Sequence, residues 1–328
     1  TTNWTCDQLL FTNACLRFPE PGFTLSVTGD WTMTGANDSR RYGLEVTNAQ
    51  ITCGGSISMT GCTLTMSTGG ETAPSLTAAG DLTLQKGGNI ASVLYLYAAE
   101  TNGTPGDCGI RVSAGGTLAV GANCVIYPQS HGVNGGSAFF SVGSLIVASN
   151  AVIDAISRGF SGQQGPGAST GNSAPGGSYG GRGGLNGKPP YGYEQWPQDP
   201  GSGGAIGRPG GGLVQAHAQR WIVIDGTINV TGSAGGAWSG AGAGGGVYLS
   251  CSHLAGSGTI RADGGYGVHA SGGGGRVAIW RMYDHTTGLA TNVSAAAGKS
   301  QSTGSYLGED GTVFWGQFNA PGTVLLLR

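Results

Sequence analysis

The residues best equipped for chemistry fall in one stretch. Arg182, Lys188, Tyr191, Tyr193, Glu194, Trp196, Asp199 and Arg208 gather charge and aromatic rings in a chain that is only 10% charged. Flat aromatic faces bind sugar rings, and a Lys, Arg or Tyr beside an acidic sugar can neutralise its carboxylate and abstract a proton. Read that way, Lys188, Tyr191 and Arg208 are the catalytic groups of a polysaccharide lyase or glycoside hydrolase. Arg182, Tyr191, Tyr193, Glu194 and Trp196 then hold the substrate, with Tyr191, Tyr193 and Trp196 lining a groove beside Lys188 or Arg208. A carbohydrate-binding module would use the same loop without catalysis. The competing reading makes the stretch an interface or structural cover with no catalytic residue. Thr, Ser and Ala dominate the strands that would have to present further carboxylates, so a structural role is favoured over an enzymatic one.

Other strings of chemical interest fail on context. Gly167–Gly171 and Gly176–Gly180 fit the Gly-x-Ser-x-Gly pattern, which needs a strand before it and a helix after it; neither is predicted. Gly240–Gly245 fits Gly-x-Gly-x-x-Gly and lacks the same context. His131, His217, His253, His269 and His285 show no ligand spacing, and there is no Cys-x-x-Cys pair, so no metal or other cofactor is expected. Asp225, Asp263, Asp284 and the Glu309-Asp310 pair sit at strand ends or turns, where acidic residues are good turn formers.

The elements that must position these residues are short strands. Phe23, Leu25 and Val27 alternate with Thr24, Ser26 and Thr28, and Trp31 and Met33 repeat the pattern after Gly29-Asp30. Period-two runs recur at Leu44–Val46, Ile57–Met59, Leu64–Met66, Leu82–Leu84, Ile110–Val112 and Leu118–Val120. No stretch carries the i, i+3, i+4, i+7 apolar spacing of a helix. Glycine is the most unusual component, at 67 of 328 residues. Residues 158–212 hold many Gly-Gly pairs and seven prolines, which rules out regular strand throughout. Glycine-rich chains packed side by side in extended or polyproline-II-like form are expected there, since only glycine lets backbones approach so closely. The chain is read as one domain, residues 1–328, with 158–212 as a Gly/Pro-rich insertion.

The clearest repeats lie at 217–316. Trp221–Gly232 (WIVIDGTINVTG), Leu254–Gly265 (LAGSGTIRADGG), Gly272–Trp280 (GGGGRVAIW) and Gly308–Trp315 (GEDGTVFW) repeat one theme of apolar strand, glycine turn and Gly-Thr-apolar step. This succession resembles the Gly-rich repeats of secreted and cell-surface bacterial proteins whose architecture is that of pectin-lyase-like and autotransporter-passenger helices. The resemblance implies an all-β fold, a right-handed parallel β-helix. It implies an extracellular setting, while such helices host lyases, hydrolases, adhesins and filament subunits alike; low charge, Thr/Ser-rich faces and the apolar run Thr323–Leu327 favour a filament or sheath subunit or a surface adhesin.

Net charge is −2 without a basic stripe, which argues against nucleic acid as a partner. No apolar run approaches the roughly 18 residues of a membrane span. Seven cysteines in so weakly charged a chain suggest an oxidising compartment. Six form sequence neighbours, and Cys6 with Cys15, Cys53 with Cys62 and Cys108 with Cys124 are the pairings expected among the several that six cysteines allow; Cys251 reads as a small buried hydrophobe. The chain begins Thr1-Thr2-Asn3 without a signal peptide, as a processed secreted protein would. Its partners are expected to be copies of itself, head to tail, or an extracellular polysaccharide. Val324, Leu325, Leu326 and Leu327 form an apolar strand that either closes its own stack or pairs with a neighbour's Trp4–Phe18 segment.

Overall fold

Alternating apolar and hydroxyl residues make the chain a succession of short strands, each buried on one face. The computed structural model describes residues 3–35, 42–68, 73–100, 108–169, 175–301 and 304–319. Three strands make up each of the first four circuits of the chain. These are β1 (Asn3–Cys6), β2 (Leu9–Thr12) and β3 (Cys15–Phe18); β4 (Thr24–Val27), β5 (Trp31–Thr34) and β6 (Gly43–Thr47); β7 (Gln50–Cys53), β8 (Ile57–Thr60) and β9 (Thr63–Ser67); and β10 (Ser75–Ala78), β11 (Leu82–Gln85) and β12 (Val93–Tyr97). From the fifth circuit the first two strands fuse into one long strand. The pairs are then β13 (Ile110–Val120) with β14 (Val125–Gln129), β15 (Ala138–Val147) with β16 (Val152–Asp154), β17 (Leu213–Ile224) with β18 (Thr227–Asn229), β19 (Gly246–Gly256) with β20 (Thr259–Arg261), and β21 (Arg276–Thr286) with β22 (Val293–Ser294). Strand β23 (Thr312–Gln317) opens a tenth circuit. Helix among the described residues is confined to two single-turn 3-10 segments, Leu289–Thr291 and Gly304–Tyr306.

The fold is thus almost wholly β, with parallel strands in two stacked sheets, an arrangement compatible with a solenoid. The larger sheet has 14 strands and runs β1-β4-β7-β10-β13-β15-β17-β19-β21-β23, with β2, β5, β8 and β11 alongside; the smaller has nine and runs from β3 to β22. Each strand pairs with its counterpart one circuit on, so equivalent residues stack in rows. One inward row reads Trp4, Leu25, Ile51, Leu76, Val112, Phe140, Ala216, Leu249, Ile279, Trp315. Its interior members are buried, and its two tryptophans close the ends. A matching row on the smaller sheet includes Leu44, Leu64, Leu94, Ile126, Ile153, Ile228 and Ile260. Each fully buried side chain of this size contributes about 1.5–3 kcal/mol, which makes the rows the main source of cohesion.

Corners between strands are glycine turns closed by acid side chains of the preceding circuit. Asp30 Oδ1 accepts from the Ser56 amide at 2.8 Å, and Asp81 Oδ1 accepts from the Thr117 amide at 2.6 Å. A Cβ on Gly54 would lie 2.2 Å from the Thr28 carbonyl oxygen, so only glycine lets consecutive corners stack so closely.

Between β16 and β17 the described residues form no strand or helix. This glycine-rich stretch packs against the glycine runs that lead into β19, β21 and β23, backbone to backbone. Gly211 N donates to Ala243 O, Gly244 N to Gly273 O, Gly273 N to Gly177 O and Gly181 N to Gly274 O, all at 2.9–3.0 Å. A Cβ on Gly272 would meet the Gly242 carbonyl oxygen at 1.9 Å, and one on Gly273 the Gly181 oxygen at 2.2 Å. The side-by-side glycine packing expected from the sequence is therefore present.

The disulfide expectation is corrected. Cys6, Cys15, Cys53, Cys62, Cys124 and Cys251 are unbridged thiols, which excludes the Cys6–Cys15, Cys53–Cys62 and Cys108–Cys124 pairs. Each of those pairs brackets a complete strand: β2, β8 and β13 respectively. Even four extended residues put about 13 Å between their ends, beyond the ~7 Å Cα separation a disulfide spans. Sequence proximity misled because neighbours along the chain lie at opposite ends of a strand, whereas spatial neighbours lie a circuit apart. Cys62 indeed stacks beneath Ser92, whose hydroxyl accepts the Cys62 amide at 3.4 Å.

Candidate functional site

The outward rows of the larger sheet change character along the stack. One row reads Thr5, Ser26, Thr52, Thr77, Ser113, Ser141 and then His217, Ser250, Trp280, Gly316. Hydroxyls occupy its first half, and an imidazole and an indole enter its second. Further along the same strands, Trp221, His253 and Tyr283 are consecutive partners on β17, β19 and β21. Parallel strands hold such rings about 4.8 Å apart, which is a stacking distance. Trp221 stacks on His253 at 4.4 Å and His253 on Tyr283 at 4.8 Å. His285 joins from the side, with its Nε2 3.2 Å from His253 Nδ1, a contact in which the tautomers decide the donor. Because His253 is covered on both faces, the row presents polar ring edges along its length.

The loop at 191–199 is strapped across this sheet. Arg276 Nε donates to Tyr191 O at 2.9 Å, Trp280 Nε1 to Gln195 O at 3.0 Å and Gln215 Nε2 to Pro197 O at 3.1 Å. Trp196 stacks on Trp280 at 5.4 Å, and Phe318 covers the same indole at 5.2 Å. Trp196 remains 48% exposed and Tyr193 72%. Glu194 is exposed beside them. The strap therefore adds two accessible rings to the strand-borne ones.

Beneath it lies a buried polar cluster. Tyr179 is fully buried under the Arg276 guanidinium, 5.6 Å from its ring centre, and packs on Tyr191. The Tyr191 hydroxyl donates to Pro200 O at 2.7 Å and accepts from Ser202 Oγ at 2.9 Å. Burial pushes both phenols above their ordinary range, and neighbouring Asp199 adds to the shift. Burial likewise raises the Asp199 carboxyl, against the pull of Arg276. A phenol that serves as a base needs the opposite shift.

The other cations of the sequence reading lie elsewhere. Lys188 is exposed on the approach to the strap. Arg182 is placed beside Glu309, whose Oε2 accepts its amide at 3.4 Å. The Arg208 guanidinium lies against Gly236, among the loop tips. Near the strand-borne rings, Arg281 bridges Asp284 at 3.0 Å and covers the Trp315 ring. Burial pulls the Asp284 carboxyl up, but hydrogen bonds from Thr286 and the Arg281 guanidinium outweigh it and hold it below the usual carboxylate range. No group of three or more metal-ligating side chains occurs among the described residues.

Sequence reasoning found the strap and missed Trp221, His253, Trp280, Tyr283 and His285. The signal was a spacing of about one circuit, 32 residues from Trp221 to His253 and 30 from His253 to Tyr283, which carries meaning only once the strands are known to stack in register. Also unforeseen is a cavity of about 220 Å³ on the outer face of the smaller sheet, lined by Cys15, Tyr42, Glu45, Thr63, Thr65 and Tyr95 among others. No helix among the described residues is long and apolar enough to cross a membrane. No protein-family model matches the chain, and no curated protein or solved structure matches it.

Proposed function

We propose that the chain is a right-handed parallel β-helix that works outside the cell as a non-catalytic, adhesin-type subunit, and that it holds a polysaccharide on the aromatic face formed by β17, β19, β21 and the 191–199 strap. The parallel crossovers support the right hand, which about 98% of such connections have. The observation that carries the binding assignment is the switch of the outward rows from hydroxyls to Trp221, His253, Trp280 and Tyr283, with Trp196 stacked on top. Exposed rings beside Gln215, His217 and Arg281 supply the apolar faces and hydrogen-bonding edges that sugars use.

Two features support binding over turnover. Asp284 is committed to Arg281 and Thr286, and the raised Tyr191 phenol is enclosed by Pro200 and Ser202. The lack of disulfides among the described cysteines withdraws one argument for an oxidising compartment; the resemblance of the 217–316 repeats to those of secreted and cell-surface proteins supports an extracellular setting.

The test is retention on acidic and neutral polysaccharides, with titration calorimetry on those retained. Wild-type protein is expected to bind without releasing unsaturated or reducing sugar. Trp196→Ala and Trp221→Ala are each expected to weaken binding by about tenfold, the loss of one ring contact worth ~1–1.5 kcal/mol. Unchanged affinity in both variants, or steady product release, would overturn the assignment.

A further inference from the structure

Five successive connections carry the chain from the smaller sheet back to the larger, leading into β15, β17, β19, β21 and β23. Their loop tips are bonded to one another in order, backbone to backbone. Ser161 N donates to Gly132 O, Gln163 N to Gly204 O, Ala205 N to Gly240 O, Gly235 N to Tyr266 O and Gly267 N to Lys299 O, all at 2.7–3.0 Å. Each connection holds one large apolar side chain out in solvent: Val133, Ile206, Trp238, Tyr266 and Leu307 in turn. Ile206 is 64% exposed, and Trp238, at 76%, is the most exposed large apolar residue among the described ones. Four spacings of about 4.8 Å separate the first connection from the last, about 19 Å in all, so the five side chains form one row. Single exposed apolar residues are ordinary on a protein surface, whereas a contiguous row of them marks an interaction site. The turns beneath are firm. His269 packs between Trp238 and the edge of Tyr306, at 6.2 and 5.0 Å.

Charge distinguishes this row from the rest of the chain. Residues 131–136, 161–164, 203–208, 233–240, 265–270 and 299–307 include no Asp or Glu but contain Arg208 and Lys299, in a chain of net charge −2. Glu100, which accepts from Asn134 at 3.2 Å, and Glu309, which accepts from the Arg182 amide, stand towards its two ends. We propose that the row docks on an anionic lipid bilayer, its five apolar side chains entering the headgroup layer while Arg208 and Lys299 meet lipid phosphates. Trp and Tyr are favoured where an apolar medium meets water, and each cation near an anionic surface adds attraction. Protruding tips offer no cleft to a sugar, and Val133, Ile206 and Leu307 have no flat face to stack on one. A second copy docked through the same row would set like charges against each other. The proposal stands whether or not the aromatic face binds a polysaccharide, since that face lies on the strands and the strap. The expected assembly strand Val324–Leu327 lies outside the described residues and takes no part in it.

The experiment measures partition of the full chain onto vesicles by flotation, using phosphatidylcholine alone and phosphatidylcholine mixed with phosphatidylglycerol. Binding is expected on the mixed vesicles and is expected to weaken as salt screens the two cations. Trp238 emission, taken as the difference between wild type and Trp238→Phe, is expected to shift to the blue on binding. Ile206→Ser and Trp238→Ser are each expected to lower the partition about tenfold, the loss of one inserted side chain. Arg208→Gln with Lys299→Gln is expected to remove the preference for phosphatidylglycerol. Circular dichroism and melting report the folding of each variant, and all these side chains lie on loops outside the buried rows. Trp196→Ala and Trp221→Ala are expected to bind vesicles like wild type, which separates this surface from the polysaccharide face. No partition onto mixed vesicles, or equal partition by folded Ile206→Ser and Trp238→Ser, would overturn the proposal. So would loss of polysaccharide retention in these two variants, or a dimer in sedimentation velocity that they abolish, since either result gives the row a different occupant.

Discussion

A thiol reacts as its thiolate, so both burial and exposure decide which cysteine meets a reagent first. Burial pushes the Cys62 thiol up to about 11 and the Cys251 thiol up to about 12, and raises Cys53 and Cys124 as well. Cys15 is exposed on β3 and lines the cavity of the smaller sheet. In native protein at mildly alkaline pH, iodoacetamide is expected to modify Cys15 well before Cys62, Cys124 or Cys251. After unfolding without reductant, Cys6, Cys15, Cys53, Cys62 and Cys124 should all be alkylated, as read by peptide mass mapping. A peptide pair joined through Cys53 and Cys62 would contradict the placement of β8 between them.

At the scale of elements, the glycine runs show how a sequence can specify structure by omission. Gly273 lies where a methyl group would meet the Gly181 carbonyl oxygen at 2.2 Å, inside a layer whose atoms are backbone and cannot rotate away. Gly207, by contrast, has nothing within 4 Å of an added Cβ and needs glycine only for its φ of +70°. Gly273→Ala is expected to cost about 3 kcal/mol or more, by overpacking that displaces backbone, and Gly207→Ala about 1–2 kcal/mol, from the left-handed backbone alone. Chemical denaturation of the two variants separates these costs. Most of the strands were legible for a related reason. The repeats quoted from 217–316 coincide with circuits: Val277 and Val313 are partners on β21 and β23, as are Thr227-Ile228 and Thr259-Ile260 on β18 and β20. Less legible were β12 and β15, where Val93–Tyr97 and Ala138–Val147 lack the Gly-Thr step. Cysteine pairing was misread because distance along the chain stood in for distance across it.

Over the whole molecule, the candidate site was half visible. The 191–199 strap announced itself by composition. Its counterpart rings at Trp221, His253 and Tyr283 are separated by a circuit each, and isolated aromatics at such spacing carry no local pattern. The same in-register stacking has a mechanical consequence. A force applied along the stacking axis loads the inter-strand hydrogen bonds of each circuit end-on, so the outermost loaded circuit yields first and the next is then exposed, as in peeling. In the first half of the chain Leu25, Ile51 and Leu76 mark successive circuits, each releasing about 25 residues, or about 90 Å of contour at ~3.5 Å per residue. Beyond β16 the circuits are also riveted crosswise, through bonds such as Gly177 to Ala241 and Gly273 to Gly177. Pulled from its two ends in an optical trap, the molecule is expected to extend in small regular steps from its N-terminal half and then give way in one larger event, its second half rupturing as a block.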